Sequence, residues 1–325
     1  MGGEPYHLPV LCAEVVDALS NVPPGLVIDA TVGGGGHAEA ILRNRGDLRI
    51  VGLDLDPRAV EYAAERLERV APGRARVRQG RADEMERVLE ELGETGPVTG
   101  VLFDLGVSSA QLRDPRRGFS YHAEGPLDMR MDPTQELTAA DVVNEYDVER
   151  LEDVIRRWGD ERHARRIAAT IAKARPIKST TELARVVASA VPASDRRRGH
   201  PARRTFQAIR IEVNGELVHL GEAVDTAIDL LAVEGRCLAI TYHSGEDRIV
   251  VDRFKRAVKG GCLCPAASPC VCGATPKAKW VSRKPTRPSQ AEVESNPRAR
   301  SARLRMVERV GSTNAGSGER KLVRG

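Results

Sequence analysis

The chain has 325 residues, of which 41% are hydrophobic and 3% aromatic, and its formal net charge is +4. This length is too great for one minimal domain and allows a sizeable core, built mostly from Val, Leu, Ile and Ala. No window approaches the roughly 18 unbroken apolar residues of a membrane span, and the first residues have neither a basic region nor a long apolar run. We therefore expect a cytoplasmic protein without a signal peptide.

Charge is distributed unevenly along the chain. Residues 120–154 carry ten acids and two arginines, a net charge of −8, whereas residues 155–210 carry fifteen Lys or Arg and four acids, a net charge of +11. A basic segment of this kind is either a solvated face or a surface for a polyanion.

Strand and helix patterns alternate over the first hundred residues. β-Branched runs predict strands at 26–30, 48–56, 75–80 and 98–106. Helical patterns between them predict helices at 37–45, 57–70 and 83–92. Such alternation is typical of an α/β fold with a doubly wound, mostly parallel sheet.

The alternation then stops and resumes a hundred residues later. Residues 108–214 show helical patterns and loops, including a basic helical segment at 151–174. After them, the pattern predicts an amphipathic helix ending at Gly235, a strand at 236–244, a helix at 246–258 and late strands at 278–284 and 303–310. We expect a sheet domain formed by residues 1–107 and 215–311, an inserted helical domain at 108–214, and a disordered tail at 312–325.

Four consecutive glycines separate the first predicted strand from its helix, in the stretch IDATVGGGGHAEAIL. Glycines at such a junction let a ligand approach the backbone, and the helix N-terminus offers free N–H groups. The run Gly33 to Ala38 satisfies the dinucleotide pattern G-x-G-x-x-A, and Asp54 lies near the end of the second predicted strand, where an acid holds ribose hydroxyls. Both NAD and S-adenosylmethionine sites share these features.

Two further acids favour S-adenosylmethionine. Asp29 precedes the glycine loop and Asp104 ends the fourth predicted strand. S-adenosylmethionine carries an ammonium and a sulfonium, which attract carboxylates, whereas the pyrophosphate of NAD does not. The alternative for both acids is turn capping at a strand end.

Four cysteines are clustered as C-x-C-x5-C-x-C at Cys262, Cys264, Cys270 and Cys272. Four thiolates this close could bind a structural Zn²⁺ tetrahedrally, although C-x-C pairs are tighter than the usual C-x2-C knuckle. The alternative is a loop of reduced thiols without a ligand.

The segment DLGVSSAQLRDPRRGFSYHAEGPLDMRMD (104–132) is the most specific part of the sequence. Together with HLPVL, WGDERHARRIAATI, HPARRTFQAIRIEVNGEL, YHSGEDRIV and NPRARSARLR, it resembles the bacterial 16S rRNA cytosine-N4 methyltransferases. The resemblance implies a class I (Rossmann-like) S-adenosylmethionine methyltransferase fold, interrupted by a helical domain that helps recognise the substrate. It further implies N4-methylation of a cytidine (position 1402) in the decoding region of 16S rRNA of the small ribosomal subunit. It does not imply a stable protein partner.

The resemblance also implies cofactor contacts by residue position. They fall on Gly35, Gly36, His37, Asp54, Ala82, Asp104 and Gln111. Ala82 departs from the family pattern, since relatives can carry an aromatic there, and Gly245 departs where relatives usually have Leu. Asp83 could accept from the adenine amine or cap the following helix.

The chemistry directs attention to two catalytic candidates. The N4 lone pair of cytosine is delocalised, so the amine needs a hydrogen-bond acceptor and in-line positioning. Asp104 is the first candidate, because amino-methyltransferases carry their amine-binding loop at this place. His243 is the second, as a proton acceptor or base contact, with a structural role as its alternative. Arginines in the stretch SDRRRGHPARRTF (194–206) would contact RNA phosphates.

Two other functional classes compete with this hypothesis. An NAD-dependent oxidoreductase gives no reason for the DLGVSS motif or the basic insertion. A non-catalytic RNA-binding protein on a methyltransferase fold predicts a broken cofactor site, whereas the glycine loop, Asp54 and Asp104 are all present.

Overall fold

A seven-stranded sheet forms the centre of the protein. The computed structural model describes residues 9–196, 199–262, 264 and 271–311, except for the side chain of Arg196. The strands are β1 (Gly25–Asp29), β2 (Leu48–Asp54), β3 (Ala75–Gln79), β4 (Val98–Asp104), β5 (Leu231–Thr241), β6 (Ala278–Thr286) and β7 (Arg303–Arg309).

The strand order is β3-β2-β1-β4-β5-β7-β6. Strands β1 to β5 pair in parallel, whereas β7 runs antiparallel between β5 and β6. The order reverses at β1 and β4, and the carboxyl ends of the parallel strands meet at one edge. Ligands bind at this edge in open α/β sheets.

Helices cover both faces of the sheet. The helices before β5 are α1 (Cys12–Ser20), α2 (Gly36–Asn44), α3 (Pro57–Val70), α4 (Met85–Leu92), α5 (Ser109–Arg113), α6 (Ala139–Asn144), α7 (Val148–Gly159), α8 (Ala164–Ala174), α9 (Thr180–Ala190), α10 (Ala193–Arg196), α11 (Arg203–Asn214) and α12 (Glu216–Leu230). After β5 come α13 (Ser244–Lys259) and α14 (Gln290–Ser295), and 3₁₀ helices span Ala82–Glu84, Pro115–Arg117 and Pro297–Ser301. One core lies between the sheet and α4, α12 and α13, and another between the sheet and α1, α2 and α3.

Helices α6 to α11 form an insertion between β4 and β5 with an apolar core of its own. Leu151, Ile167, Leu183 and Phe206 are among the residues buried in it. The predicted fold class is therefore confirmed: a Rossmann-like, doubly wound, mostly parallel sheet interrupted by a helical insertion. The domain boundaries at 108 and 214 stay a prediction.

Two element predictions need correction. The segment 151–174 is two helices, because Asp160 after α7 takes a left-handed φ of 50°. The helix predicted to end at Gly235 ends at Leu230, and β5 begins at Leu231. Its first residue pairs with Val98, and pairing resumes at Arg236 after a bulge.

Some sequence predictions fall outside the described residues. They are the disordered tail at 312–325, Cys270 as a zinc ligand, and Arg197 and Arg198 of the basic stretch. Within the part of the chain that the structure describes, no helix has the length and apolar character needed to span a membrane.

Candidate functional site

A cavity of about 730 Å³ opens at the carboxyl edge of the sheet and extends to the insertion. This volume is typical of a small-molecule site. Its wall includes all seven predicted cofactor residues except Gly35, together with both catalytic candidates: Gly36, His37, Asp54, Ala82, Asp104, Gln111 and His243. The structure therefore brings together residues, such as Gly36 and His243, that are more than two hundred positions apart in the chain.

The glycine loop has the backbone conformation that requires glycine. Gly33 and Gly35 have φ values of 49° and 73°, in the left-handed region that residues with a Cβ rarely adopt. Gly35 is the N-cap of α2, whose first turn contains Gly36 and His37. The loop therefore presents backbone to the cavity at Gly33 and Gly36, while Gly35 itself packs near Ala63 behind it.

Asp54 connects this loop to the end of β2. Its Oδ2 accepts from the backbone N–H of Gly33 at 2.9 Å, and its Oδ1 accepts from that of Asp56 at 2.9 Å. Burial raises the pKa of Asp54 to about 6, against the lowering effect of these backbone donors. The carboxylate retains acceptor capacity on the cavity wall, which suits ribose hydroxyls.

Asp104 lies at the end of β4 between two donors. Its Oδ1 accepts from the Tyr242 hydroxyl at 2.8 Å, and its Oδ2 lies 3.4 Å from Nε2 of His37. Its backbone N–H donates to the Thr31 hydroxyl. These contacts fix the orientation of the Asp104 carboxylate in the cavity.

The pKa values of the two partners of Asp104 are both raised. Burial lowers the pKa of His37, but contacts with Asp104 and Cys12 and the charge of Asp29 outweigh it and raise this pKa to about 10. Burial and the Asp104 charge raise the pKa of Tyr242 well above its usual value. Asp104 therefore lies between the imidazole ring of His37 and the phenol of Tyr242.

Asp29 does not belong to the cavity wall. Its side chain is buried, 1% exposed, and its Oδ1 accepts from the backbone N–H of Thr31 at 3.3 Å. Burial raises its pKa to about 7, although the charge of His37 lowers it. For Asp29, this contact agrees with the alternative that the carboxylate caps a turn at the end of a strand. Asp104, in contrast, faces the cavity.

Ala82 and Gln111 line the cavity in different ways. Ala82 opens the 3₁₀ helix after β3 and packs against the core. Gln111 is buried, and its amide donates to Asp56 at 3.2 Å and accepts from the N–H of Ser108 at 3.0 Å. These bonds hold Gln111 in the wall and engage its side-chain amide with other residues of the protein. Its contact with the cofactor stays a prediction.

Asp83, next to Ala82, is engaged by neighbouring side chains. Both of its oxygens accept from the Arg81 guanidinium at 3.0 Å, and Nδ1 of His219 lies 3.3 Å from Oδ2. The helix cap that the sequence suggested for it is made instead by Arg81 and Glu84.

His243 is the N-cap residue of α13. Its Nδ1 accepts from the N–H groups of Gly245 and Glu246, and its Nε2 lies 3.0 Å from Oε1 of Glu246. The first turn of α13 therefore holds the imidazole, which agrees with the alternative that His243 has a structural role. The ring also lines the cavity. Its catalytic role stays a prediction.

Sequence reasoning missed Tyr242 and the pair Asp56–Arg117. Tyr242 immediately precedes His243, but nothing in the sequence shows that its hydroxyl reaches Asp104. Arg117 donates to Asp56 at 2.7 Å and to the carbonyls of Arg130 and Met131 at 3.0 Å each. It thus ties the segment leading into the insertion to the end of β2.

Three of the four clustered cysteines are described. The sulfur atoms of Cys262, Cys264 and Cys272 lie within 4.8 Å of one another, outside the cavity wall. Two sulfurs on one tetrahedral zinc ion are about 3.8 Å apart, so three thiolates at this spacing could share a metal after a small adjustment.

The whole arrangement suits a nucleoside cofactor that carries positive charge. The glycine loop and Asp54 offer donors and acceptors for a nucleoside, and Asp104 offers negative charge for a cationic centre. The same cavity continues to aromatic side chains of the insertion, which could receive a planar second substrate.

Comparisons with known proteins agree with this geometry. The profile of the MraW methylase family matches residues 4–310. The chain is 46% identical to a ribosomal RNA small subunit methyltransferase H of Heliobacterium mobile, over 94% of this chain and 99% of the relative. It is 50% identical to that of Symbiobacterium thermophilum, over 94% and 97% of the two chains.

A more distant likeness exists among solved structures. A methyltransferase from Streptococcus mutans in complex with SAH aligns over 95% of this chain and 100% of that chain, with 12% identity and a TM-score of 0.41. A likeness at this level carries no argument about the site.

Proposed function

Because the chain belongs to the MraW methylase family, we propose that it transfers a methyl group from S-adenosylmethionine to N4 of a cytidine in 16S rRNA. The proposal includes the decoding region as the target and the cytoplasm, where small subunits assemble, as the place of action. The observation that carries it is Asp104, held by Tyr242 and His37 in a cavity shared by the glycine loop and the insertion.

The residues present fit S-adenosylmethionine. Asp54 would hold the ribose, Ala82 would line the adenine, and Gly36 with the N-terminus of α2 would lie beside the methionine portion. When bound, the cofactor supplies an electrophilic methyl group on a sulfonium. The carboxylates of the wall complement that cation, whereas they would repel the pyrophosphate of NAD.

Asp104 performs the positioning step at the amine. With the cofactor bound, N4 would attack the methyl carbon, and S-adenosylhomocysteine would be the leaving group as the carbon–sulfur bond breaks. Asp104 accepts a hydrogen bond from N4, which concentrates the lone pair along the line of attack, and the excess N4 proton passes to this carboxylate or to water. Tyr242 and His37 hold the carboxylate in place throughout.

Methyl transfer to 16S rRNA tests the function directly. Small subunits lacking the modification are incubated with the protein and labelled S-adenosylmethionine, and digested rRNA is analysed by mass spectrometry. We expect N4-methylcytidine, with kcat reduced about 10²-fold or more in Asp104→Asn and less in Tyr242→Phe. Calorimetry should show binding of S-adenosylhomocysteine and none of NAD.

Two results would contradict the proposed function. One is the absence of methyl transfer to small subunits and to naked 16S rRNA by a folded protein that binds S-adenosylhomocysteine. The other is a methyl group on a different atom of the base, which would remove the amine role of Asp104.

We further propose a structural zinc ion at the cysteine cluster. The proximity of the Cys262, Cys264 and Cys272 sulfurs supports it. The sequence pattern offers Cys270, outside the described residues, as a fourth ligand. Such an ion would pin the connection between α13 and β6.

Elemental analysis tests the zinc proposal. We expect close to one equivalent of zinc in the purified protein and a lower Tm after treatment with a chelator. Cys264→Ser should lose the metal, while Cys12→Ser, which removes a thiol elsewhere, should keep it. A metal-free protein of normal stability would rule the zinc ion out.

A further inference from the structure

Three exposed arginines line the cavity without a carboxylate partner among the residues that the structure describes. Arg203 begins α11, and Arg298 and Arg300 belong to the 3₁₀ helix Pro297–Ser301. Other arginines of the wall are ion-paired, as Arg66–Glu39, Arg81–Asp83 and Arg210–Glu216. Among the residues that the structure describes, none of the three exposed guanidinium groups forms an ion pair. The three arginines therefore differ from the others of the wall, whose charge is neutralised by a carboxylate.

Arg298 shows that positive charge is concentrated here. Its guanidinium donates to the hydroxyl of Ser109, a neutral group. Burial and the nearby charge of Arg113 lower the pKa of Arg298. Within the described part of the chain, Arg298 therefore has a neutral partner and a neighbouring cation but no counterion, and an incoming anion would supply one.

The interior next to these arginines suits an aromatic base. Phe119, Tyr121 and Phe206 line the same cavity, and Tyr121 stacks on His200 with a centroid distance of 4.3 Å. A base must leave its stack to enter such a pocket, and its phosphates then remain at the entrance. The apolar wall inside the cavity would therefore receive the base, and the arginines without ion pairs would lie beside the phosphates.

We propose that Arg203, Arg298 and Arg300 form a phosphate clamp, which binds the RNA backbone on the two sides of the target nucleotide. The inference rests on the proposed function, because it takes RNA as the substrate. The clamp brings together the insertion and the segment before β7, which are about a hundred residues apart in the chain. Phosphate contacts of this kind position the RNA and do not read its sequence.

The experiment compares RNA binding and catalysis in charge variants. The variants are Arg298→Ala/Arg300→Ala, Arg203→Ala and the charge-retaining Arg298→Lys/Arg300→Lys. The matched control is Arg87→Ala, which removes an exposed arginine of α4 that is paired with Glu84 and Glu91. Filter binding to 16S rRNA fragments at several salt concentrations, KM and kcat for small subunits, and calorimetry with S-adenosylhomocysteine are measured for each.

For the double Ala variant, we expect KM for RNA to rise at least about tenfold, with the salt slope smaller by about 0.7 per lost contact on single-stranded RNA. The Lys variant should recover much of the slope, and Arg87→Ala should behave as wild type. Affinity for S-adenosylhomocysteine should stay unchanged. The side chain of Arg300 bonds to no other described residue, so its removal should not disturb the fold. Arg300→Ala alone therefore keeps the test valid if the double variant does not fold.

Two outcomes would overturn the clamp while leaving the proposed function intact. Wild-type KM and salt slope in Arg300→Ala and the double variant would show that these arginines do not contact RNA. Loss of S-adenosylhomocysteine binding with unchanged RNA affinity would assign them to the cofactor carboxylate. If wild type itself neither binds nor methylates 16S rRNA, the proposed function fails instead.

Discussion

Asp54 and Asp104 could be predicted as site residues because each ends a parallel strand, and such ends meet at one edge of a sheet. The state of each carboxyl could not be predicted, since it depends on residues distant in sequence. Asp104 is oriented by Tyr242, 138 residues away. Asp29 has the same strand-end position, yet its carboxyl turns into the protein. A carboxylate at a strand end is therefore a candidate whose direction only packing decides.

The pH dependence of cofactor binding tests the role of Asp54. Its pKa is raised to about 6 in the ligand-free protein, so the carboxyl is ionised above that pH and protonated below it. Protonation converts one carboxyl oxygen into a donor and removes the negative charge, which weakens the bonds that the ribose hydroxyls donate to it. We expect the Kd of S-adenosylhomocysteine to be constant above pH 7 and to rise, by up to about tenfold per pH unit, as pH falls below 6.

Calorimetry from pH 5 to 8 measures this effect, and Asp54→Asn is the control. That variant should bind more weakly by about 1–3 kcal/mol at pH 8 and lose most of the pH dependence. An unchanged pH profile in Asp54→Asn would assign the titration to another group, with Asp29 as the next candidate.

At the scale of elements, periodicity located most of the helices and strands, because it reports which faces are buried. It failed where the backbone turns within a continuous apolar pattern. Leu230, Leu231 and Val233 suit a helix or a strand, and the choice is made by the pairing of Leu231 with Val98. The break after α7 occurs at Asp160, whose φ is 50°, directly after Gly159, which lies against α11.

Substitution of Gly159 tests that close approach. A Cβ at Gly159 would lie 2.7 Å from the carbonyl oxygen of Arg204 and 3.2 Å from Cβ of Ala208. We expect Gly159→Ala to destabilise the protein by about 1–3 kcal/mol, because two packed helices must separate. Denaturant unfolding measures the change.

Gly46→Ala provides the comparison, since nothing lies within 4 Å of its added Cβ. That variant should unfold as wild type does. Equal stability of both variants would show that α7 and α11 adjust to the added carbon without cost.

At the scale of the whole molecule, the insertion is tied to the sheet by buried polar contacts rather than by the chain connection alone. Arg117 and Asp56 are 13% and 5% exposed at their side chains and form an ion pair at 2.7 Å. Arg117 also donates to carbonyls of the segment that leads to α6. We expect the position of the insertion over the cavity to depend on this pair.

Replacement of Arg117 tests how much this ion pair contributes to stability. Arg117→Met leaves the buried Asp56 carboxylate without its cation, so we expect a loss of about 3–5 kcal/mol in the free energy of unfolding. Adding Asp56→Asn should recover part of the loss, because it removes the uncompensated charge. Arg116→Ala, at a side chain 82% exposed, should change stability by less than about 1 kcal/mol.

The free energies of unfolding of these variants form a double-mutant cycle. The cycle includes Asp56→Asn alone. If the loss of stability in the double variant equals the sum of the losses in the two single variants, the pair is not coupled, and another contact places the insertion.

The sequence by itself determined the α/β class, the helical interruption, the glycine loop and the strand-end acids. These features depend on local periodicity, on glycine conformations and on the order of elements, all of which are written along the chain. Only the tertiary structure decided that Tyr242 and His37 hold Asp104, that His243 caps α13, and that Arg203 lines one cavity with Arg298 and Arg300. Those relations join residues far apart in sequence, and their distances follow from how the helices pack on the sheet and how the insertion folds over its edge.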